Sequence, residues 1–240
     1  MTERYETVTA FHYAAYRPPL HRMILERVLG SFESFSSGLD FGCGTGYSSV
    51  ALTHYSNRVC GVDLNQQMLN LTEQHPQITY LLGTVEDLPC LVGQPYDIIT
   101  FAGSLFYVKS EALRIGLSSV CRPGTTIIVY DFNVLTKELL NDIGFTASLD
   151  ESDYDHDISI AEWNEFKNLT NESACLAIKV SAEEAAHLLL SDSFYYDALQ
   201  AYLNLTAPFD ALVSMLSKQK DEIQLVVDVF YKRYEFCHIT

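Results

Sequence analysis

The sequence predicts an α/β fold: a seven-stranded, mostly parallel sheet with helices on both faces and an antiparallel hairpin at its C-terminal end. Three observations carry this expectation. Five short apolar runs rich in β-branched residues recur between residues 38 and 132, the pattern of strands buried on both faces. Helix-like stretches separate them, and such alternation implies parallel strands joined by right-handed crossovers. The last stretch, EIQLVVDVFYKRYEFCHI (222–239), reads as two strands around a tight turn near Tyr231 to Arg233.

The elements follow in order. PLHRMILERVLG (19–30) has proline at its start and Gly30 at its end, the punctuation of a helix. Strands are expected at GLDFG (38–42), RVCGVD (58–63), ITYLLG (78–83), YDIITFAG (96–103) and TTIIVYDF (125–132), with helices over 46–55, 65–74 and 109–121. After Asp131 the alternation stops. Residues 134–220 read as helices in pieces, among them SAEEAAHLLL (181–190), where Ser181 and Glu184 have capping-box spacing, and PFDALVSMLSKQ (208–219). The expected organisation is one domain over 1–240, with residues 1–30 forming a lid and 134–220 a helical insert that caps an acceptor pocket. In DESDYDHD (150–157), Asp153, Asp155 and Asp157 have the opening spacing of a calcium loop. Ile158 and Asn164 stand where that loop needs glycine and glutamate, so the stretch reads as a solvated loop and no metal is expected.

Composition bounds the function. With 240 residues, 48% hydrophobic and 19% charged, the chain can bury a core without disulfides or metals. Its net charge is −16, and its basic residues are scattered. Such a surface repels phosphate backbones and anionic membranes, so neither nucleic acid nor membrane is expected as a partner. The first residues have no apolar signal core, no run approaches membrane-spanning length, and the six cysteines form no C-x-x-C pair. A cytoplasmic protein with reduced thiols is expected.

The chemistry begins at LDFGCGTGYSSV (39–50). Three glycines on alternate positions after a strand permit close approach to a bare backbone. Dinucleotide enzymes use G-x-G-x-x-G, and Tyr47 stands where their third glycine would be. Asp40 lies inside an apolar strand, a costly place for a carboxylate without donors or a cation. Asp63 ends the second strand, where a carboxylate can accept both hydroxyls of a ribose. GTVEDLP (83–89) and FAGSLFYV (101–108) follow the third and fourth strands. All four features fall at C-terminal strand ends, so one crevice collects them.

LDFGCGTG, GVDLNQQML, GTVEDLP, YDIITFAGSLFYV and CRPGTTIIV resemble, in order and spacing, the motifs of class I S-adenosylmethionine-dependent methyltransferases, over residues 38–132. That resemblance implies a Rossmann-like fold and S-adenosylmethionine as cofactor. It places the backbone of Gly42, Cys43, Gly44 and Gly46 against the methionine part, Asp40 near the amino group, and Asp63 on the ribose. Leu64 and Met68 would pack by the adenine, with Thr84, Val85 and Glu86 at its edge, and Ala102 and Leu105 would line the sulfonium end. Many relatives carry an acidic residue where Thr84 stands. Tyr16 and Arg17 would close over the cofactor carboxylate, since a guanidinium recognises it bidentately. HYAAYRPPLHRMILERVL (12–29) is similar to the leader of small-molecule members, including the trans-aconitate methyltransferase-like group.

The expected reaction is in-line methyl transfer to a small-molecule acceptor, for which the protein supplies orientation and exclusion of water. AGSLFY after strand four lacks the N/D-P-P-Y/F stretch of relatives that methylate nucleobases or amides. Phe11, His12, Tyr13, Phe106, Tyr107 and Asp131 are candidate lining residues, with Trp163 and the aromatics at 194–196. His12 and Asp131 are the candidate catalytic groups. The alternative is an S-adenosylmethionine-binding regulatory protein without transferase activity of its own, working through a partner. Acceptor identity and oligomeric state do not follow from the sequence.

Overall fold

The computed structural model describes residues 8–16, 18–88, 95–146, 153–219 and 222–237. The described residues divide into two compact units. The larger is drawn from 20–132, 153–174 and 229–240, and the smaller from 1–19, 133–152 and 175–228.

The larger unit carries the sheet. Its strands are β1 (Gly38–Phe41), β2 (Val59–Asp63), β3 (Ile78–Leu82), β4 (Ile98–Ala102), β5 (Thr126–Val134), β6 (Phe166–Val180) and β7 (Ile223–Phe236), in spatial order β3-β2-β1-β4-β5-β7-β6. Strands β1 to β5 pair in parallel. At β7 the direction reverses. Phe236, at the far end of β7, donates its amide to Thr125 O and accepts at its carbonyl from Gly124 N, whereas Leu135, just past β5, donates to Val226 O near the start of β7. The fold is thus the expected one, a mostly parallel seven-stranded sheet with antiparallel strands at its C-terminal end. Helices α2 (Leu20–Leu29), α3 (Tyr47–Leu52), α4 (Gln66–Leu69), α5 (Leu105–Val108) and α6 (Glu111–Val120) accompany the strands, with α1 (Ala10–Ala15) preceding them in the smaller unit. The chain reverses twice at β1–α3–β2 with little room to spare. A Cβ at Gly61 would meet Ser49 Oγ at 2.9 Å and the Tyr80 ring at 2.8 Å, so the bare β2 backbone is what lets α3 approach the sheet.

The core of this unit is apolar from β1 to β5: Leu39, Phe41, Val62, Ile99, Phe101, Ile127 and Val129 are buried together with Leu113 and Leu117 of α6. The burial of central strands on both faces is why their sequences read as continuous apolar runs. Trp163, expected to line a pocket, is part of this core.

Two expectations about the C-terminal third need correction. The final stretch is one strand of 14 residues without a turn at Tyr231 to Arg233, and its partner is the 15-residue β6, drawn from the region expected to be helical. Lys232 and Arg233 looked like a solvated turn, but each is paired within the sheet region. Lys232 is buried with its ammonium on Asp157, and Arg233 forks onto Glu33. Strand β6 is hidden in the sequence because it lies at the sheet edge and is exposed over most of FKNLTNESA. Only its far end alternates, with Leu176, Ile178 and Val180 buried.

The smaller unit is helical beyond the strand ends it holds. It contains α1, α7 (Lys137–Asp142), α8 (Ala182–Leu190), α9 (Ser193–Leu203) and α10 (Phe209–Gln219). Ser181 caps α8 with the expected reciprocal box. Asp192 accepts from the amides of Phe194 and Tyr195 to start α9, and Asn204 ends it in a left-handed conformation (φ 52°). Ala185, Ala186, Leu189, Leu199, Leu212 and Leu216 form the unit's interior. No helix among the described residues is long and apolar enough to cross a membrane.

Candidate functional site

The loop between β1 and α3 is fixed by three glycines in the left-handed region: Gly42 (φ 76°), Gly44 (φ 54°) and Gly46 (φ 89°). They are glycines for different reasons. A Cβ at Gly42 would sit 2.3 Å from the Ser104 Cβ, and one at Gly46 would sit 2.3 Å from Tyr80 Oη. At Gly44 a Cβ would meet only Met68 Cε, at an ordinary contact distance of 3.5 Å, so no crowding demands a glycine there. The loop is tied to the end of β2, because the amides of Gly42 and Cys43 both donate to Val62 O (2.8 and 3.1 Å). Gly44 N donates to Asp63 Oδ2 and Asn65 N to Asp63 Oδ1, each at 2.8 Å. Asp63 is half-buried at the C-terminal end of β2, with one backbone donor on each oxygen and lone pairs to spare.

Asp40 lies directly behind this loop and is completely buried. Its Oδ2 accepts from Ser48 Oγ (2.6 Å) and Ser49 Oγ (2.7 Å), and its Oδ1 from Thr100 Oγ1 (2.8 Å). Burial pushes this carboxyl above its ordinary value, and the three hydroxyls oppose the shift only in part. The carboxylate thus anchors α3 to β1 and β4. Ser48, Ser49, Thr100 and Gly61 were not singled out from sequence. The signal available was the serine pair two and three residues after Gly46, in the first turn of the helix.

The other expected residues are placed as follows. Cys43 is buried, and burial drives its thiol far above the ordinary range. Leu64 is exposed beside Asp63, and Met68 borders Gly44. Thr84 donates through both its amide and its hydroxyl to Asp87 Oδ2 (2.9 and 3.0 Å), so its side chain closes the 84–87 turn. Glu86 is exposed on that turn, whereas Val85 and Leu105 are buried in the core. Ala102 ends β4 and is half-buried. Arg17 lies outside the described residues. Tyr16 belongs to the smaller unit, where burial and then Glu184 raise its phenol to about 12.

The ends of β4 and β5 hold a polar cluster. Asp131 Oδ1 accepts from the Phe132 amide (2.7 Å), while Oδ2 faces Tyr154 Oη (2.7 Å) and His156 Nδ1 (3.0 Å). Tyr154 Oη also reaches Gly103 O at 2.8 Å. Burial and the Asp131 charge push the Tyr154 phenol far up, which keeps it a neutral donor. Phe106 and Tyr107 flank the Tyr154 ring at 4.7 and 5.6 Å. Tyr154 and His156 come from the acidic stretch read as a solvated loop, and nothing in its charge pattern distinguished them.

His12 is placed in the smaller unit, 6% exposed, stacked on Phe209 (centroids 5.6 Å apart) and with Nδ1 2.9 Å from His187 Nδ1. Burial and then His187 lower its pKa to about 4. That environment is a packed aromatic cluster, shared with Phe11 and Tyr196.

Residues 39–124 match the methyltransferase-domain family. Among relatives of this methyltransferase domain, a ubiquinone biosynthesis O-methyltransferase from Idiomarina loihiensis is 30% identical over 142 residues, 54% of this chain and 57% of the relative. A malonyl-[acyl-carrier protein] O-methyltransferase from Serratia marcescens is 35% identical over 130 residues, 52% of this chain and 49% of the relative. The chain thus spans about half the length of these curated relatives. A solved structure from Anaeromyxobacter dehalogenans, described as a candidate type II methyltransferase, superposes with a TM-score of 0.62 over 93% of this chain and 100% of that one, at 16% identity. The YcgJ protein from Bacillus subtilis does so with a TM-score of 0.51 over 92% and 99%, at 14% identity. These two share the fold. Methyltransferases of this family use S-adenosylmethionine as methyl donor. The residues at these strand ends fit such a group, because the Gly44 backbone is uncrowded, with only Met68 Cε within contact range, and Asp63 has acceptor capacity beside it.

Proposed function

We propose that the chain is an S-adenosylmethionine-dependent methyltransferase acting on a small-molecule acceptor by direct in-line transfer. The observation that carries this reading is the left-handed glycine loop, its uncrowded Gly44 backbone held by Asp63 at the C-terminal edge of a parallel sheet. Bound there, the cofactor would supply the activated methyl group. The protein's part is to position it. The Gly42–Gly46 backbone takes the methionine portion, with Asp40 stiffening the loop from behind near the amino group. Asp63 accepts the ribose hydroxyls on the lone pairs its two amide donors leave over. Leu64 and Met68 flank the base, Glu86 stands at its edge on the turn that Thr84 closes, and Ala102 borders the reacting end, with Val85 and Leu105 packed in the core behind them. Alignment of this kind can supply effective molarities of about 10⁵–10⁸ M.

A small acceptor is supported by the −16 charge, which opposes phosphate backbones, and by the leader's similarity to small-molecule members. Calorimetric titration with S-adenosylmethionine and S-adenosylhomocysteine tests the reading, and absence of binding by both would overturn it. Asp63→Ala is expected to weaken S-adenosylhomocysteine binding by more than about ten-fold, as a bidentate contact and the loop's own tether are lost.

A further inference from the structure

The cluster at the ends of β4 and β5 has the layout of an oriented base. His156 is one-third exposed and bonded through Nδ1 to an Asp131 carboxylate that is 14% exposed. An imidazole donating Nδ1–H to a carboxylate is fixed in the tautomer whose Nε2 carries the lone pair. Asp131 is itself pinned by the Phe132 amide and by Tyr154, and Tyr154 ties the assembly to Gly103 O, one residue beyond Ala102. Gly103 has φ 67°, and a Cβ there would meet Asp131 Oδ1 at 3.1 Å, so the close approach of β4's end to the carboxylate uses a glycine. Around the dyad stands a row of rings: Tyr107, 73% exposed, then Phe106 and Tyr154, with His156 lying on Phe230 at an interplanar angle of 15°.

We propose that His156, oriented by Asp131, is the proton acceptor of the reaction, and that its substrate is a hydroxyl or amine carried on a planar apolar body. The proposal rests on the methyltransferase reading above. A carboxylate acceptor reaches the site already deprotonated and needs no base, whereas a hydroxyl or amine must shed a proton. As the acceptor heteroatom bonds to the methyl carbon, the carbon–sulfur electron pair stays with sulfur, which becomes a neutral thioether. The heteroatom's proton passes to Nε2, and the imidazolium so formed is stabilised by Asp131 and returns its proton to solvent. Base catalysis of this kind contributes about 10²–10⁴-fold. The aromatic row offers stacking to a flat substrate, with ring centroids of neighbours already 4.7 to 5.6 Å apart. In this arrangement Asp131 is a positioning residue and Tyr154 holds it.

The test uses the full chain and does not depend on turnover. Histidine side-chain ¹⁵N NMR of protein saturated with S-adenosylhomocysteine is expected to show His156 as the Nδ1–H tautomer. In Asp131→Asn the Phe132 amide retains the amide oxygen, so the NH₂ faces the ring and the tautomer should reverse to Nε2–H. Catechol and benzoate serve as probes. Catechol is expected to shift the His156 Nε2 resonance and to bind at least about ten-fold more tightly than benzoate, a preference lost in His156→Gln. An unchanged tautomer in Asp131→Asn, or benzoate binding as tightly as catechol, would overturn the proposal. His156→Gln should bind S-adenosylhomocysteine within about two-fold of wild type. If wild type failed to bind it, the methyl-donor reading would fall, and the tautomer measurement would still decide whether the dyad exists.

Discussion

At the scale of single residues, the two innermost glycines of the loop separate folding from binding. Gly46 combines φ 89° with a Tyr80 hydroxyl 2.3 Å from any added Cβ. Gly46→Ala therefore carries both a left-handed backbone, about 1–2 kcal/mol, and a clash, and urea unfolding should show a loss above about 2 kcal/mol. Gly44 has the backbone strain without the clash. Gly44→Ala should lose only about 1 kcal/mol of stability, yet, if the proposed cofactor site is right, bind S-adenosylhomocysteine less tightly than Gly46→Ala by calorimetry. His12 gives a second residue-scale outcome. Its folded pKa of about 4 lies below the ordinary 6.5, so its neutral form is the one the fold favours. The resulting stability is complete above pH 6.5 and is lost as pH falls through about 4. Burial lowers His187 in the same direction, against an opposing pull from Glu183. Hydrogen exchange of α1 and α8 should accelerate over that window, and less so in His12→Phe, which keeps the stacking on Phe209 without the titration. Equal acceleration in both proteins would show that the histidine is not responsible.

At the scale of elements, legibility followed local pattern. Strands β1 to β5 were readable to within one or two residues from their short apolar, β-branched runs, β3 among them although none of its residues is buried. Helix α8 was readable because Ser181 and Glu184 bond reciprocally at its start. That box predicts a measurable cost. Ser181→Ala should lower stability by about 1 kcal/mol in urea unfolding, and a change near zero would mean the α8 end gains nothing from its cap. Strand β6 was not legible, since an edge strand with a polar outer length carries no alternation until Leu176. Strand β7 was misread for a related reason. Lys232 and Arg233 look like solvent-facing charge in one dimension, and the partners that let them stay within a strand, Asp157 and Glu33, lie far away in sequence. The same holds for the candidate site. The loop glycines, Asp40 and Asp63 announce themselves locally, while His156 becomes informative only when Asp131 is placed against it.

For the molecule as a whole, charge is the dominant variable. Thirty-one acidic residues face fifteen basic ones, and Lys109, Arg114, Arg122, Lys179, Lys232 and Arg233 are already committed to ion pairs with acids. The surplus is negative and self-repelling, and salt screens it over about 10 Å at 0.1 M. Thermal unfolding should therefore shift upward by a few degrees between about 0.02 and about 0.3 M sodium chloride. A downward shift would mean that the ion pairs outweigh the repulsion. The tether between Gly44 and Asp63 has a different kind of consequence, in time and not in energy. The Asp63 carboxylate, which in the proposed reading takes the ribose, already holds the Gly44 amide, so the entropy of shaping this loop is lost when the chain folds. Binding then requires no rearrangement of this loop. Association should proceed with a single concentration-dependent phase in the ordinary range of about 10⁵–10⁷ M⁻¹s⁻¹, and the lifetime of the complex, set by how fast the ligand leaves, becomes the quantity that natural variation in this loop can tune.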